Sequence, residues 1–300
     1  MDQAENLRNI VKSTQTATPI RVVEKTRVIT VTSGKGGVGK SNLSVNLAVQ
    51  LRRAGKRVII LDADFGLSNV EVMFGTIPKY TLKDMLYGGM SIKDIITTGP
   101  MGVGFISGGS GIIGLNNLTY DQLARLLSNI TYLNELADVI IIDTGAGVSD
   151  QVMEFVLGSP EVLLVTTPEP SSLTDSYSLM KAMYKSPKFT PGVNTVHLVA
   201  NKVNSEAEGM AVYNKIASVV GQFLDGKVDY VGAIPNDPVL ERCVRSQQVV
   251  SIEDPNARSS KAFEAVTERL FNTKAPQQAA PRWGIGALFG GIIGKSGRRY

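Results

Sequence analysis

Short apolar runs alternate along the chain with longer stretches in which apolar positions recur every three or four residues. The runs at 27–32, 58–61, 103–106, 139–142, 162–166, 196–200 and 230–234 are rich in Val and Ile, the pattern of strands buried on both faces. Between and after them, residues 42–54, 171–184, 210–224 and 261–271 carry helical spacing, with weaker helical patches at 81–87, 91–96 and 120–129. Gly55 stands where a glycine closes a helix. This alternation predicts an α/β fold, a mostly parallel twisted sheet with helices on both faces, in one domain over residues 26–272. Residues 1–25 read as a short N-terminal helix (2–11) followed by a Ser/Thr-rich linker containing Pro19. Residues 273–281 read as a second linker and 282–300 as a tail.

Chemistry enters where the first predicted strand stops. Ser33-Gly34-Lys35-Gly36-Gly37-Val38-Gly39-Lys40-Ser41 fits the template Gly, four residues, Gly-Lys-Ser/Thr, between a strand and a helix. The glycines allow the main chain to wrap around phosphates, so that N–H groups of the loop and the helix N-terminus face an anion. Lys40 is placed to reach the β- and γ-phosphates and Ser41 to give a hydroxyl to Mg²⁺. Two further strands end in acids. Asp62-Ala63-Asp64 puts two carboxylates on one side of an extended chain, suited to Mg²⁺ and to positioning a water. Asp143 follows an all-apolar strand and has the form of a Walker B carboxylate that holds Mg²⁺. Thr144 occupies the place where many ATPases have a glutamate base, which leaves Asp64 as the candidate for the water. Asn201, after another strand, offers an amide that could pair with a purine edge. His197 reads as a strand histidine and Cys243 as a small buried hydrophobe.

Composition narrows the class. In 300 residues, 43% are hydrophobic, no run of eighteen apolar residues occurs, and the first residues lack the basic-then-apolar order of a signal peptide. The expected location is the cytoplasm. One cysteine rules out an internal disulfide framework. The net charge of +4 is unevenly placed: Arg282, Lys295, Arg298 and Arg299 lie in 282–300, leaving 27 basic residues against 27 acidic ones in the rest. A neutral body argues against direct DNA binding. In the basic tail, Ile285, Leu288, Phe289, Ile292 and Ile293 share one helical face, with Trp283 before them. An anionic membrane surface suits this pattern. Burying these six apolar side chains yields about 1.5–3 kcal/mol each, while ordering about twelve residues takes about 1–2 kcal/mol each. One tail therefore binds weakly, and two tails in a dimer bind far better.

Taken together, the loop with its extra lysine Lys35, the Asp62-Ala63-Asp64 strand end and the Asp143 element resemble the deviant Walker A ATPases of the MinD/ParA class, over roughly residues 28–271. The resemblance implies a slow ATPase using ATP/ADP and Mg²⁺ that forms an ATP-dependent homodimer, with Lys35 reaching the partner's nucleotide. It also implies that Asp64 positions the attacking water, that Asp62 supports Mg²⁺, and that Asn201 and Pro235 hold adenine. Asp2-Gln3-Ala4, Leu7 and Arg8 match every fixed position of the motif Asp-Gln-Ala-x-x-Leu-Arg, which is similar to that of the FlhG/FleN/YlxH family of flagellar number regulators. That family implies stimulation of the GTPase FlhF by the N-terminal segment, delivery of flagellar switch-ring (C-ring) proteins, and an ATP-bound state peripheral to the inner face of the cell membrane. A MinD-like division-site regulator and an ATP-gated scaffold with incidental turnover are the alternatives.

Overall fold

The computed structural model describes residues 26–64, 69–109, 129–190 and 194–272. Their strands are β1 (Arg27–Ser33), β2 (Val58–Ala63), β3 (Thr97–Thr98), β4 (Gly104–Ile106), β5 (Val139–Ala146), β6 (Glu161–Thr166), β7 (Thr195–Val203) and β8 (Asp229–Pro235). They form one sheet in the order β3-β4-β2-β5-β1-β6-β7-β8, parallel except for the antiparallel edge pair β3/β4. The helices are α1 (Lys40–Arg53), α2 (Val70–Phe74), α3 (Leu82–Gly88), α4 (Asp150–Gly158), α5 (Pro170–Tyr184), α6 (Glu206–Leu224), α7 (Pro238–Arg245), α8 (Val250–Glu253) and α9 (Arg258–Asn272). The α/β architecture expected from the sequence is the one observed.

Period-two alternation assigns each strand side chain to one face of the sheet. Ile29, Val31, Ile60, Ile141, Leu163 and Val165 pack with Leu43, Leu47 and Leu51 of α1 and Phe263, Val266 and Leu270 of α9. Ile59, Leu61, Ile140 and Ile142 pack in a second cluster with α3 and with Ile130 and Leu133. Val162, Leu164 and Leu198 pack in a third with residues of α4, α5 and α6. Each fully buried Leu, Ile or Phe contributes about 1.5–3 kcal/mol, so the two covered faces fix the register of the central strands and, with it, where their carboxyl ends lie.

The amino ends of the strands are tied by one buried polar cluster. Arg27 Nε and Nη2 donate to Glu161 at 2.7 and 2.6 Å, and Nη2 also donates to the Leu270 carbonyl at 2.9 Å. The guanidinium lies 4.1 Å from the centroid of Phe271, and His197 Nε2 is 3.6 Å from Glu161. Burial alone would raise the Glu161 carboxyl; the neighbouring His197 and the hydrogen bonds and charge of Arg27 outweigh it and hold the group below its ordinary value. His197 is thus the strand histidine that the sequence suggests, and Cys243 is buried in α7.

Three expectations change. Residues 91–96 form turns: Ser91 N and Oγ both donate to Asp94 Oδ2, at 3.0 and 2.7 Å, and this local bonding replaces a helix although Ile92 and Ile95 are buried. Helix α6 begins at Glu206, four residues before the expected start, because Ser205 Oγ accepts from Glu208 N at 3.2 Å; Gly209 hides the helical pattern there. Helix α4, capped by Ser149, follows β5 without an expected counterpart. The expected helix 120–129 lies outside the described residues except at its end, where residues 129–136 are helical. The N-terminal segment with Asp2, Gln3, Ala4, Leu7 and Arg8, the linker 273–281, and the tail with Trp283, Ile285, Leu288, Phe289, Ile292 and Ile293 also lie outside the described residues. Among the described residues, no helix is long and apolar enough to cross a membrane.

Candidate functional site

The carboxyl ends of the parallel strands gather the residues singled out from the sequence, which is where open α/β sheets hold their ligands. Between β1 and α1 the loop from Gly34 to Gly39 leaves the first turn of α1 with no side-chain cap and no acidic residue. Its N–H groups, with the helix dipole behind them, are left for an anion. Val38 is buried in the core beneath α1 and anchors the loop from below. Gly34 has to be glycine for space, because a Cβ there would overlap the main chain of Asp175 and Ser176 in α5. Gly39 has to be glycine twice over: its φ is +99°, and a Cβ would overlap the Asn201 amide.

The two lysines of the loop are held differently. Lys40 Nζ donates to Ser33 Oγ at 3.1 Å, and Ser33 Oγ donates onward to the Lys35 carbonyl at 2.7 Å. Burial lowers the Lys40 pKa, while the charges of Asp143 and Asp64 act in the opposite direction. Lys40 is therefore a partly buried cation between acids and loop. Lys35 Nζ instead donates to Glu169 Oε2 and Ser171 Oγ, both at 2.8 Å, at the start of α5. That contact is solvated on both sides, with the lysine 37% and the glutamate 58% exposed, and such pairs are screened and readily exchanged.

Asp62 and Asp143 stand opposite each other in register on adjacent strands. Burial raises the Asp143 pKa to about 6; the Ser41 and Ser44 hydroxyls and the Lys40 charge oppose the rise, and the Asp64 charge adds to it. Ser44 Oγ donates to Asp143 Oδ1 at 2.9 Å, while Oδ2 is buried without a hydrogen-bond partner. Burial and the neighbouring Asp143 raise Asp62 to about 7, against three main-chain N–H groups. These are Asp64 N at 3.1 Å, Asn69 N at 2.9 Å and Val70 N at 3.1 Å. Asp62 thus fixes the segment that carries Asp64 and supports the site from behind. A partnerless buried carboxylate oxygen, a second carboxylate beside it and the Ser41 hydroxyl are hard oxygen donors that fit Mg²⁺. When bound, Mg²⁺ would neutralise charge developing on the transferred phosphoryl group.

Two buried carboxyls with raised pKa carry a stability cost with a definite sign. Between about pH 4 and pH 7 the folded chain holds protons that the unfolded chain has lost, so stability falls as pH rises through that window. The nucleotide-free protein is expected to melt roughly 5 °C lower at pH 8 than at pH 5.5, and Asp143→Asn should flatten that difference. Differential scanning fluorimetry of both proteins checks this; a wild-type melting point that rises with pH would contradict it.

Asn201 bonds directly to the loop. Its Nδ2 donates to the Val38 carbonyl at 2.6 Å and its Oδ1 accepts from Lys202 N at 2.9 Å. Lys202, at φ +58°, donates from Nζ to the Gly37 carbonyl at 3.0 Å. Asn201 and Lys202 together brace the phosphate loop, and Pro235 pairs in register with Val203 on the neighbouring strand. Ser33, Ser44, Glu169, Ser171 and Lys202 were not singled out from the sequence. Ser44 could have been, since it lies three residues after Ser41 on one helical face, and Ser33 stands at the start of the loop itself; Glu169, Ser171 and Lys202 come from distant segments that only the sheet order brings together.

The chain is similar to known proteins. The ParA family model, described as NUBPL iron-transfer P-loop NTPase, matches residues 24–271. Iron transfer has no counterpart in a cysteine set here, since the chain has one cysteine. The antiactivator FleN of Pseudomonas aeruginosa is 40% identical over 85% of this chain and 89% of its own length. The flagellum site-determining protein YlxH of Helicobacter pylori is 34% identical over 82% of both chains. Among solved structures, the cell division ATPase MinD of Pyrococcus furiosus superposes with a TM-score of 0.65 at 26% identity, covering 82% of this chain and 98% of that one. The chain belongs to the ParA family of P-loop NTPases and, within its MinD/ParA-type ATPases, to the group that contains FleN and YlxH.

Proposed function

We propose that the chain is an ATP-driven switch that sets the number or placement of flagella. ATP with Mg²⁺ occupies the loop Gly34–Ser41, where Lys40 holds the β- and γ-phosphates and Ser41 and Asp143 hold the ion. Two chains then close on their nucleotides, and each Lys35 exchanges Glu169 and Ser171 for the partner's phosphates. The paired tails 282–300 hold the dimer on the anionic inner face of the cell membrane, where it delivers switch-ring proteins. Hydrolysis, with the water positioned by Asp64, releases it.

The observation that supports the flagellar reading is a motif, Asp2-Gln3-Ala4-x-x-Leu7-Arg8, joined to a body that resembles FleN and YlxH along nearly its whole length. A MinD-like body alone would fit a division-site regulator equally well. The two readings part at the partner. A peptide of residues 1–25 is expected to raise the GTPase rate of FlhF, and the chain lacking residues 2–11 should lose that effect while keeping its own ATPase. No stimulation by peptide or full chain would favour the division-site reading. Deleting residues 282–300 should abolish sedimentation with anionic liposomes and spare the ATPase.

A further inference from the structure

The end of the sheet away from the phosphate loop holds an open cavity of about 430 Å³. It lies at the amino ends of β2 and β4; its lining residue Val58 is roughly 13 Å along the strand direction from Asp62 and roughly 20 Å from Asp64 at about 3.3 Å per residue. Its volume falls in the range that takes small molecules. Ile59, Ile96 and Leu136 give it an aliphatic wall, Arg52, Arg57 and Lys93 give it cations, and no carboxylate is among the residues that line it.

The three cations are not equivalent. Arg57 is matched by Asp138, with Nε and Nη2 donating to Oδ1 at 3.1 and 2.7 Å, and its Nη1 donates to the Glu135 carbonyl at 2.8 Å. Lys93 is exposed, its ammonium 4.7 Å from the centroid of Tyr132. Arg52 is half-buried and, among the described residues, donates only to main-chain carbonyls, from Nε to Met101 at 3.2 Å and from Nη1 to Lys56 at 3.0 Å. Those two bonds hold the guanidinium in place without neutralising it, and Nη2 is left over. Met101 sits at φ +54°, a strained conformation for a side-chain-bearing residue, on the turn that presents this carbonyl. A fixed guanidinium with no carboxylate partner among the described residues, beside an exposed ammonium, matches the oxygens of a phosphate, and the aliphatic wall matches an apolar group carried by it.

We infer that this cavity is a second anion site, separate from the ATP site, which takes a phosphate ester with an apolar body. Such chemistry has two sources, a soluble phosphate ester or the headgroup of an anionic phospholipid. The full chain, saturated with Mg²⁺ and ADP so that the phosphate loop is filled, is titrated with phenyl phosphate and with inorganic phosphate by calorimetry. Phenyl phosphate is expected to bind saturably and at least about 5-fold more tightly than inorganic phosphate, because only it uses the aliphatic wall. Arg52→Ala should weaken it at least about 10-fold, and Lys93→Ala, at an exposed position where the fold is not at stake, about 3-fold or more. Vesicles of phosphatidylglycerol then separate the sources: displacement of phenyl phosphate marks a lipid headgroup, and its retention marks a soluble ester. Absence of saturable binding, or equal binding by wild type, Arg52→Ala and Lys93→Ala, would overturn the site.

Discussion

Lys35→Ala is expected to leave nucleotide affinity within about 3-fold of wild type while removing ATP-induced dimers altogether. The reason lies in the unequal placement of two neighbouring lysines. Lys40 is partly buried, bonded to Ser33 and set among Asp143 and Asp64, so it is part of the cradle of its own chain. Lys35 is bonded to Glu169 and Ser171, outside that cradle, through a solvated contact. A cation held by an exposed acid and a hydroxyl can move to a phosphate chain of higher charge when a second protomer presents one, since charge-assisted bonds to phosphate are stronger than a screened surface pair. Removing it therefore subtracts from the dimer and not from the monomer's grip on nucleotide. Sedimentation velocity with a non-hydrolysed ATP analogue, alongside a nucleotide titration, reads both quantities. Normal dimers in the variant would show that Lys35 has no cross-chain role, and loss of nucleotide binding would place it in the cradle with Lys40.

The same division of labour explains what could be read from the sequence. The strand ends were legible because each buried strand is an apolar run that stops at a polar residue: Asp62 within β2 and Asp64 just after it, Asp143 within β5, Asn201 within β7. Buried parallel strands have no other pattern, so their carboxyl ends mark the site without any knowledge of strand order. What joins residues across the site was not legible. Glu169 and Ser171 meet Lys35, and Lys202 meets Gly37, only because β6 lies next to β1 and β7 next to β6 in the sheet. Nor does spacing show that Asp62 spends its carboxylate on three main-chain N–H groups. The misread patch at 91–96 has a similar cause: Ile92 and Ile95 have helical spacing, but the Ser91–Asp94 hydrogen bonds close a turn first. Local side-chain bonding and long-range neighbours are the two things a hydrophobic pattern does not encode.

Asp64→Ala is expected to lower ATP turnover at least about 100-fold and to let the ATP-bound dimer accumulate, the size typical of losing a group that orients or deprotonates the attacking water. The choice among the three carboxylates follows from how each is occupied. Asp62 accepts from three main-chain N–H groups, and Asp143 accepts from Ser44 deep in the sheet, where its free oxygen suits a metal ion. Among the described residues Asp64 accepts a single long side-chain contact, 3.4 Å from Asn69 Nδ2, and it is only half-buried, so a carboxylate oxygen remains to orient water. Asp64 also acts electrostatically on Lys40 and Asp143, which puts it beside the phosphates those residues serve. Asp64→Asn keeps the shape and the Asn69 contact but removes the basic oxygen, so it should lose turnover nearly as fully as alanine while binding ATP normally. Single-turnover hydrolysis together with dimer lifetime distinguishes the cases: wild-type turnover in Asp64→Asn would mean that the water is positioned elsewhere, and with Thr144 Oγ1 already donating to the Val31 and Gly145 carbonyls the second protomer would then have to supply the group.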